Sequence, residues 1–252
     1  TSGLSFAFAP SVLLGSYPLL LVIQTVAISL TALSLYYVGS RILGNAYAGL
    51  VVALSFLISF AVAGVNWFDL HYEAFFIPLF VSGYALTISG RNRTGYTLLA
   101  LSGLANFPFM IFPAFFALQS LVYRRWHSYT MVGPMWKPAP RSYDLILLGV
   151  AFAVLVSSYV ELSTVGPNLS GFLHTTGAGG PGISADARLE TIFFLVGPFA
   201  FLPLLSPRWA LYLVPWFFVV LTSPATFYQY PGLFFTQYSA AIIPFLFMGT
   251  ID

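Results

Sequence analysis

The uncharged run TGYTLLALSGLANFPFMIFPAFFALQSLVY begins at Thr94 and ends at Tyr123, and its 30 residues decide the fold. A bilayer core of about 30 Å takes about 20 helical residues, so the run is too long for one comfortable crossing. Asn106, Pro108 and Pro113 sit near its middle. A proline there removes a backbone hydrogen bond and kinks or ends a helix. The run is therefore either one long crossing or two short helices, and the positive charges around it discriminate. Lys and Arg close to span ends are held on the cytoplasmic side. With one crossing, Arg41, Arg91, Arg93 and Arg188 oppose Arg124, Arg125, Lys137, Arg141 and Arg208, which is no bias. With a hairpin turning at residues 106–108, only Arg188 is separated from the other eight. The asymmetry selects the hairpin, an extracytoplasmic start and a tip on the outer side.

The rest of the chain supports that frame. Of 252 residues, 59% are hydrophobic and 6% charged, against about 25% charged in soluble domains. Lipid is the expected solvent and the bilayer the expected partner. A net charge of +2 excludes a nucleic-acid footprint. The absence of cysteine removes disulfides and thiolate zinc sites. Beyond residues 94–123, charge-free spans fall at 19–40, 42–65, 74–90, 145–160, 191–205, 209–222 and 235–251. The expected fold is all-α, a single polytopic membrane domain over residues 1–252 with about eight to nine membrane helices. A chain starting at Thr1 with no initiator Met and ending in an apolar run reads as a fragment.

With that topology Asp69, Glu73, Glu161, Asp186 and Glu190 lie outside, and Asp144 and Asp252 inside. Asp144, two residues after Ser142, reads as a helix-start acid capping amides and meeting the dipole. The inner loop at residues 124–141, with Trp126 and Trp136, reads as a headgroup anchor. The outer glycine-rich stretch at 175–182 lacks the lysine and context of a phosphate cradle, and Asn168 with Ser170 forms a sequon. No internal repeat is strong enough to argue an inverted-repeat transporter.

The segment NWFDLHYEAFFIPLF, residues 66–80, carries the chemistry. A helix starting there sets Asp69 and Glu73 four apart on one face, with His71 about 200° away. If Asp69 lies in a turn instead, His71 and Glu73 converge. Two carboxylates and an imidazole can bind a sugar, coordinate a divalent cation or carry protons. The bland alternative is an interfacial belt of Trp67, Phe68 and Tyr72 with the acids capping the span. No motif demands a cofactor, and no residue is assigned as a metal ligand.

The run WFDLHYEAFFIPLF resembles the characteristic segment of domain-of-unknown-function family 2079, predicted archaeal and bacterial membrane proteins. The segments SPRWALYLVPWF at 206–217 and QYSAAIIPFLF at 237–247 resemble its later motifs, in the same order. That family in turn resembles GT-C glycosyltransferases. The resemblance implies a multi-span enzyme that moves a sugar from a polyprenyl-phosphate carrier to an acceptor on the outer face. It makes Asp69, His71 and Glu73 the catalytic candidates. Arg188, His174, Asn106, Gln237 and Tyr238 become substrate-binding candidates. GT-C enzymes place an essential aspartate in the first outer loop, a segment the chain lacks on this reading, so the fragment alone is expected to be inactive. Their helical-pair tip commonly carries charge, where this chain has Asn106, Phe107 and Pro108. Two other classes compete: a multi-pass transporter with acids at a cavity mouth, and a non-catalytic membrane assembly partner.

Overall fold

A computed structural model describes residues 17–67, 70–126, 139–165, 185–222 and 237–252. Asp69, His174, residues 175–182, the 168–170 sequon and Trp136 and Lys137 lie outside the described residues. Everything described is helix or short connection.

The first helix, α1 (Tyr17–Ile42), shows what solvates the molecule. Its buried stripe is Leu20, Gln24, Ile28, Thr31, Leu35 and Val38, at helical spacing. Leu19, Val22, Val26, Leu30 and Leu33 are exposed. The outward face is thus apolar as well as the buried one, unlike that of a helix facing water. Among the described residues two helices are long and apolar enough to cross a membrane, residues 18–42 and Arg141–Val160. A third crossing exists if α2 (Ala46–Ile58) and α3 (Phe60–Trp67), bent by 44°, form one span. Three further apolar helices are shorter, Tyr72–Ile88, Phe107–Val122 and Ser239–Ile251. Of the expected eight to nine membrane helices, including one broken pair, the described residues show two or three candidate spans together with shorter apolar helices.

Breaks account for the difference. The span expected at 42–65 opens at Ser59, whose backbone is extended (φ −63°, ψ 126°). Neither proline nor glycine stands there. The second half packs instead against a distant 3₁₀ turn, Gln237–Ala241. The span expected at 191–205 divides into α8 (Ala185–Val196) and the single-turn α9 (Leu202–Leu205), because Ala200 and Phe201 both take positive φ. The span at 235–251 is that 3₁₀ turn followed by α11 (Ile243–Ile251), while α10 (Pro207–Thr222) is continuous despite Pro215.

The 94–123 run is a hairpin. Helix α5 (Asn92–Gly103) ends, a 3₁₀ turn spans Phe107–Met110, and α6 (Ile111–Trp126) returns. The Tyr96 and Phe116 rings lie 5.9 Å apart, whereas 20 residues of one straight helix would separate them by about 30 Å. Helix α7 (Arg141–Val165) closes over the pair. Asp144 is completely buried and accepts hydrogen bonds from Tyr96 and from Ser120, the latter at 3.2 Å. It stands in the first turn of α7, where a helix-start acid was expected, and it also ties α7 to both hairpin arms.

Close approaches of small residues hold the helices together. A Cβ on Gly49 of α2 would lie 2.6 Å from the Tyr36 carbonyl of α1. One on Gly95 of α5 would lie 2.8 Å from the Gly83 carbonyl of α4 (Phe76–Ile88). At the centre Phe76, Phe80, Phe112, Tyr212 and Phe245 interlock, with Phe112 and Phe245 centroids 4.9 Å apart.

Two unlike ends result. The bonds Gln24–His71 and Ser34–Ser82 set α1 parallel to α4, so Arg41 and Arg91 follow at one end. The Asp144 bonds bring Arg93 and Arg141 there, and Gln119, which donates to the Arg208 carbonyl at 2.9 Å, brings Arg208. The His71 turn and the hairpin tip form the other end.

Candidate functional site

The polar end is built by backbone that leaves the helix just before a span begins. His71 is extended (φ −126°, ψ 128°), its carbonyl accepts from Ala74 at 3.1 Å, and the 3₁₀ turn Tyr72–Phe75 leads into α4. Asn106 does the same at the hairpin tip: it is extended (φ −148°, ψ 130°), accepts from Phe109 at 2.7 Å, and opens the Phe107–Met110 turn into α6. In each case a proline, Pro78 or Pro113, stands within the first turn of the following helix, where its missing amide leaves no bond unmade. The turn Gln237–Ala241 and Pro244 repeat the pattern ahead of α11. FIPLF at 76–80, IFPAF at 111–115 and IIPFL at 242–246 are its sequence traces. They escape a search for long repeats because only a few residues of each recur.

These turns converge. The Asn106 amide Nδ2 donates to Glu73 Oε1 at 3.1 Å across 33 residues of sequence. The Gln237–Ala241 turn packs on the Tyr72–Phe75 turn and on α3. From α1, Gln24 Oε1 accepts the backbone amide of His71 at 3.1 Å, and the Thr25 hydroxyl donates to Asn66 Oδ1 at 3.0 Å. His71, Glu73 and Asn106 are half-buried, while Gln24 is 1% exposed. Gln24 Nε2 has no hydrogen-bond partner among the described residues. The orientation of this amide is fixed chemically, because His71 N–H is a donor and must face the oxygen. A buried donor without an acceptor costs about 1–3 kcal/mol. An oxygen-bearing ligand would relieve it.

Of the sequence candidates, Glu73 and Asn106 bond directly, and His71 stands two residues before Glu73 at the head of the same turn, its backbone amide held by Gln24. The helix that would have put Asp69 and Glu73 on one face does not form, since His71 is extended; Asp69 itself, like His174, lies outside the described residues. Gln237 and Tyr238 open the third turn, and Arg188 belongs to α8. Among the described residues no three of His, Asp and Glu gather to hold a metal ion. Gln24, Thr25 and Asn66 were not singled out by sequence. The available signal was a glutamine inside an apolar span, where a polar side chain costs insertion energy and is normally used or paired.

An all-α bundle with lipid-facing leucines and one polar end defines the class: a polytopic helical membrane protein. The model of the predicted membrane protein family DUF2079 matches residues 3–173, about two thirds of the chain, and the protein belongs to that family. The WFDLHYEAFFIPLF segment falls inside the match, while the segments at 206–217 and 237–247 follow it. No curated protein and no solved structure matches the chain.

Proposed function

We propose that the protein is a GT-C-like membrane glycosyltransferase, moving a sugar from a polyprenyl-phosphate carrier to an acceptor on the extracytoplasmic face. The observation that carries the reading is the convergence of Gln24, His71, Glu73 and Asn106 at the end opposite the arginines. Glu73 supplies a carboxylate able to act as base or to stabilise positive charge at an anomeric carbon. His71 is a second proton carrier. Gln24 Nε2 and the remaining Asn106 donor capacity suit sugar hydroxyls, which need paired donors and acceptors in a partly dry site. Broken backbone at membrane depth is tolerated where it lines a cavity, and both 3₁₀ turns satisfy that condition if the site holds substrate. On this reading the arginine end faces the cytoplasm.

The test uses membranes carrying the full-length protein and a labelled polyprenyl-phosphate sugar. Transfer is expected to fall by about 10²-fold or more in Glu73→Gln and His71→Ala, the usual scale for a lost general acid or base. Transfer unchanged in both variants removes these residues from the reaction and the reading with them.

A further inference from the structure

A cleft of about 280 Å³ runs between α5 and α7, from the arginine end toward the hairpin tip. Its floor is Tyr96 and Leu147, both buried, and its walls carry Leu104, Ile146 and Val150. At one end stand Arg93 and Tyr143. The two helices run parallel there, since Tyr96 near the start of α5 donates to Asp144 near the start of α7 and α7 also packs on the Phe107–Met110 turn beyond the end of α5, so the cleft has a cationic mouth and an apolar tail. From Arg93 to Leu104 the wall is roughly 16 Å long at 1.5 Å per residue. One leaflet of a bilayer core is about 15 Å deep.

We propose that this cleft is a binding site for an anionic phospholipid, one acyl chain lying between α5 and α7 and the phosphate on Arg93. Length and polarity select the occupant together. An apolar slot as deep as one leaflet fits a lipid chain, and a cation at its mouth fits a headgroup phosphate. Arg93 is exposed, and no acidic side chain among the described residues pairs with it. A guanidinium presents a fork of donors matched to phosphate oxygens. Basic pockets between membrane helices take anionic headgroups for this reason. Arg91 sits two residues away and does not line the cleft, which separates a built site from the general charge of that end. Ala100 lines the middle, so a larger side chain there blocks the acyl path.

The experiment is native mass spectrometry of the full-length protein in detergent, delipidated and titrated with phosphatidylglycerol or phosphatidylcholine. Saturation by one phosphatidylglycerol is expected, in preference to phosphatidylcholine. Arg93→Gln should weaken that binding about fivefold, the scale of one basic residue at an anionic surface. Arg91→Gln should leave it intact, and Ala100→Phe should lower binding of both lipids. Equal binding of the two lipids, or equal effects of Arg93→Gln and Arg91→Gln, overturns the proposal. Arg93 is exposed, so its substitution reads out even where Ala100→Phe fails to fold.

Discussion

Asp144 and Gln24 are the two buried polar side chains that organise the molecule, and they do so in opposite ways. Asp144 accepts from Tyr96 and Ser120 and so joins three helices. Asp144→Ala would leave two buried hydroxyls without their acceptor, at a cost of about 2–4 kcal/mol. The expected outcome is a lower thermal unfolding midpoint in detergent, without change at the His71 end. Gln24 instead keeps a donor with no partner among the described residues, beside His71. One buried polar group is a structural tie, while the other holds the His71 turn through its oxygen. Sequence placed Asp144 at a helix start, as the structure does, but could not show its ties to partners 24 and 48 residues away.

At the scale of elements, glycine placement sets how closely helices approach. Gly95 sits against Gly83 of the neighbouring helix, whereas a Cβ on Gly149 of α7 meets nothing within 4 Å. Gly95→Leu should force α4 and α5 apart and destabilise by about 1–3 kcal/mol or more. Gly149→Ala should be neutral or stabilise by up to about 1 kcal/mol through helix propensity. Thermal midpoints of the two variants, compared with the unsubstituted protein, check the contrast. The hairpin was legible in the sequence because charge asymmetry and two prolines agree on it. The break at Ser59 was not, because no residue there disfavours helix strongly and tertiary packing decides; the one at Ala200–Phe201 had a signal in Gly197, Pro198 and Pro203, which an uncharged-run search passes over. The Glu73–Asn106 contact was half legible. Each residue stood out alone, but apolar periodicity carries no information on which turns meet.

For the whole molecule, the order of ends follows from the hairpin. Arg41, Arg91 and Arg93 stand opposite His71 and Glu73 through the packing of α1 on α4, and Arg141 and Arg208 join them at that end only if residues 94–123 turn back. A single crossing would carry the start of α7 to the opposite side from the start of α5. The absence of cysteine allows a clean test with two exposed positions, Thr94 and Ser142. Single variants Thr94→Cys and Ser142→Cys, treated with an impermeant thiol reagent in intact cells and in inverted membrane vesicles, report the side of each helix start. Both cysteines protected in cells and both labelled in vesicles is the predicted result; labelling of the two from opposite sides would contradict the hairpin and the separation of ends built on it.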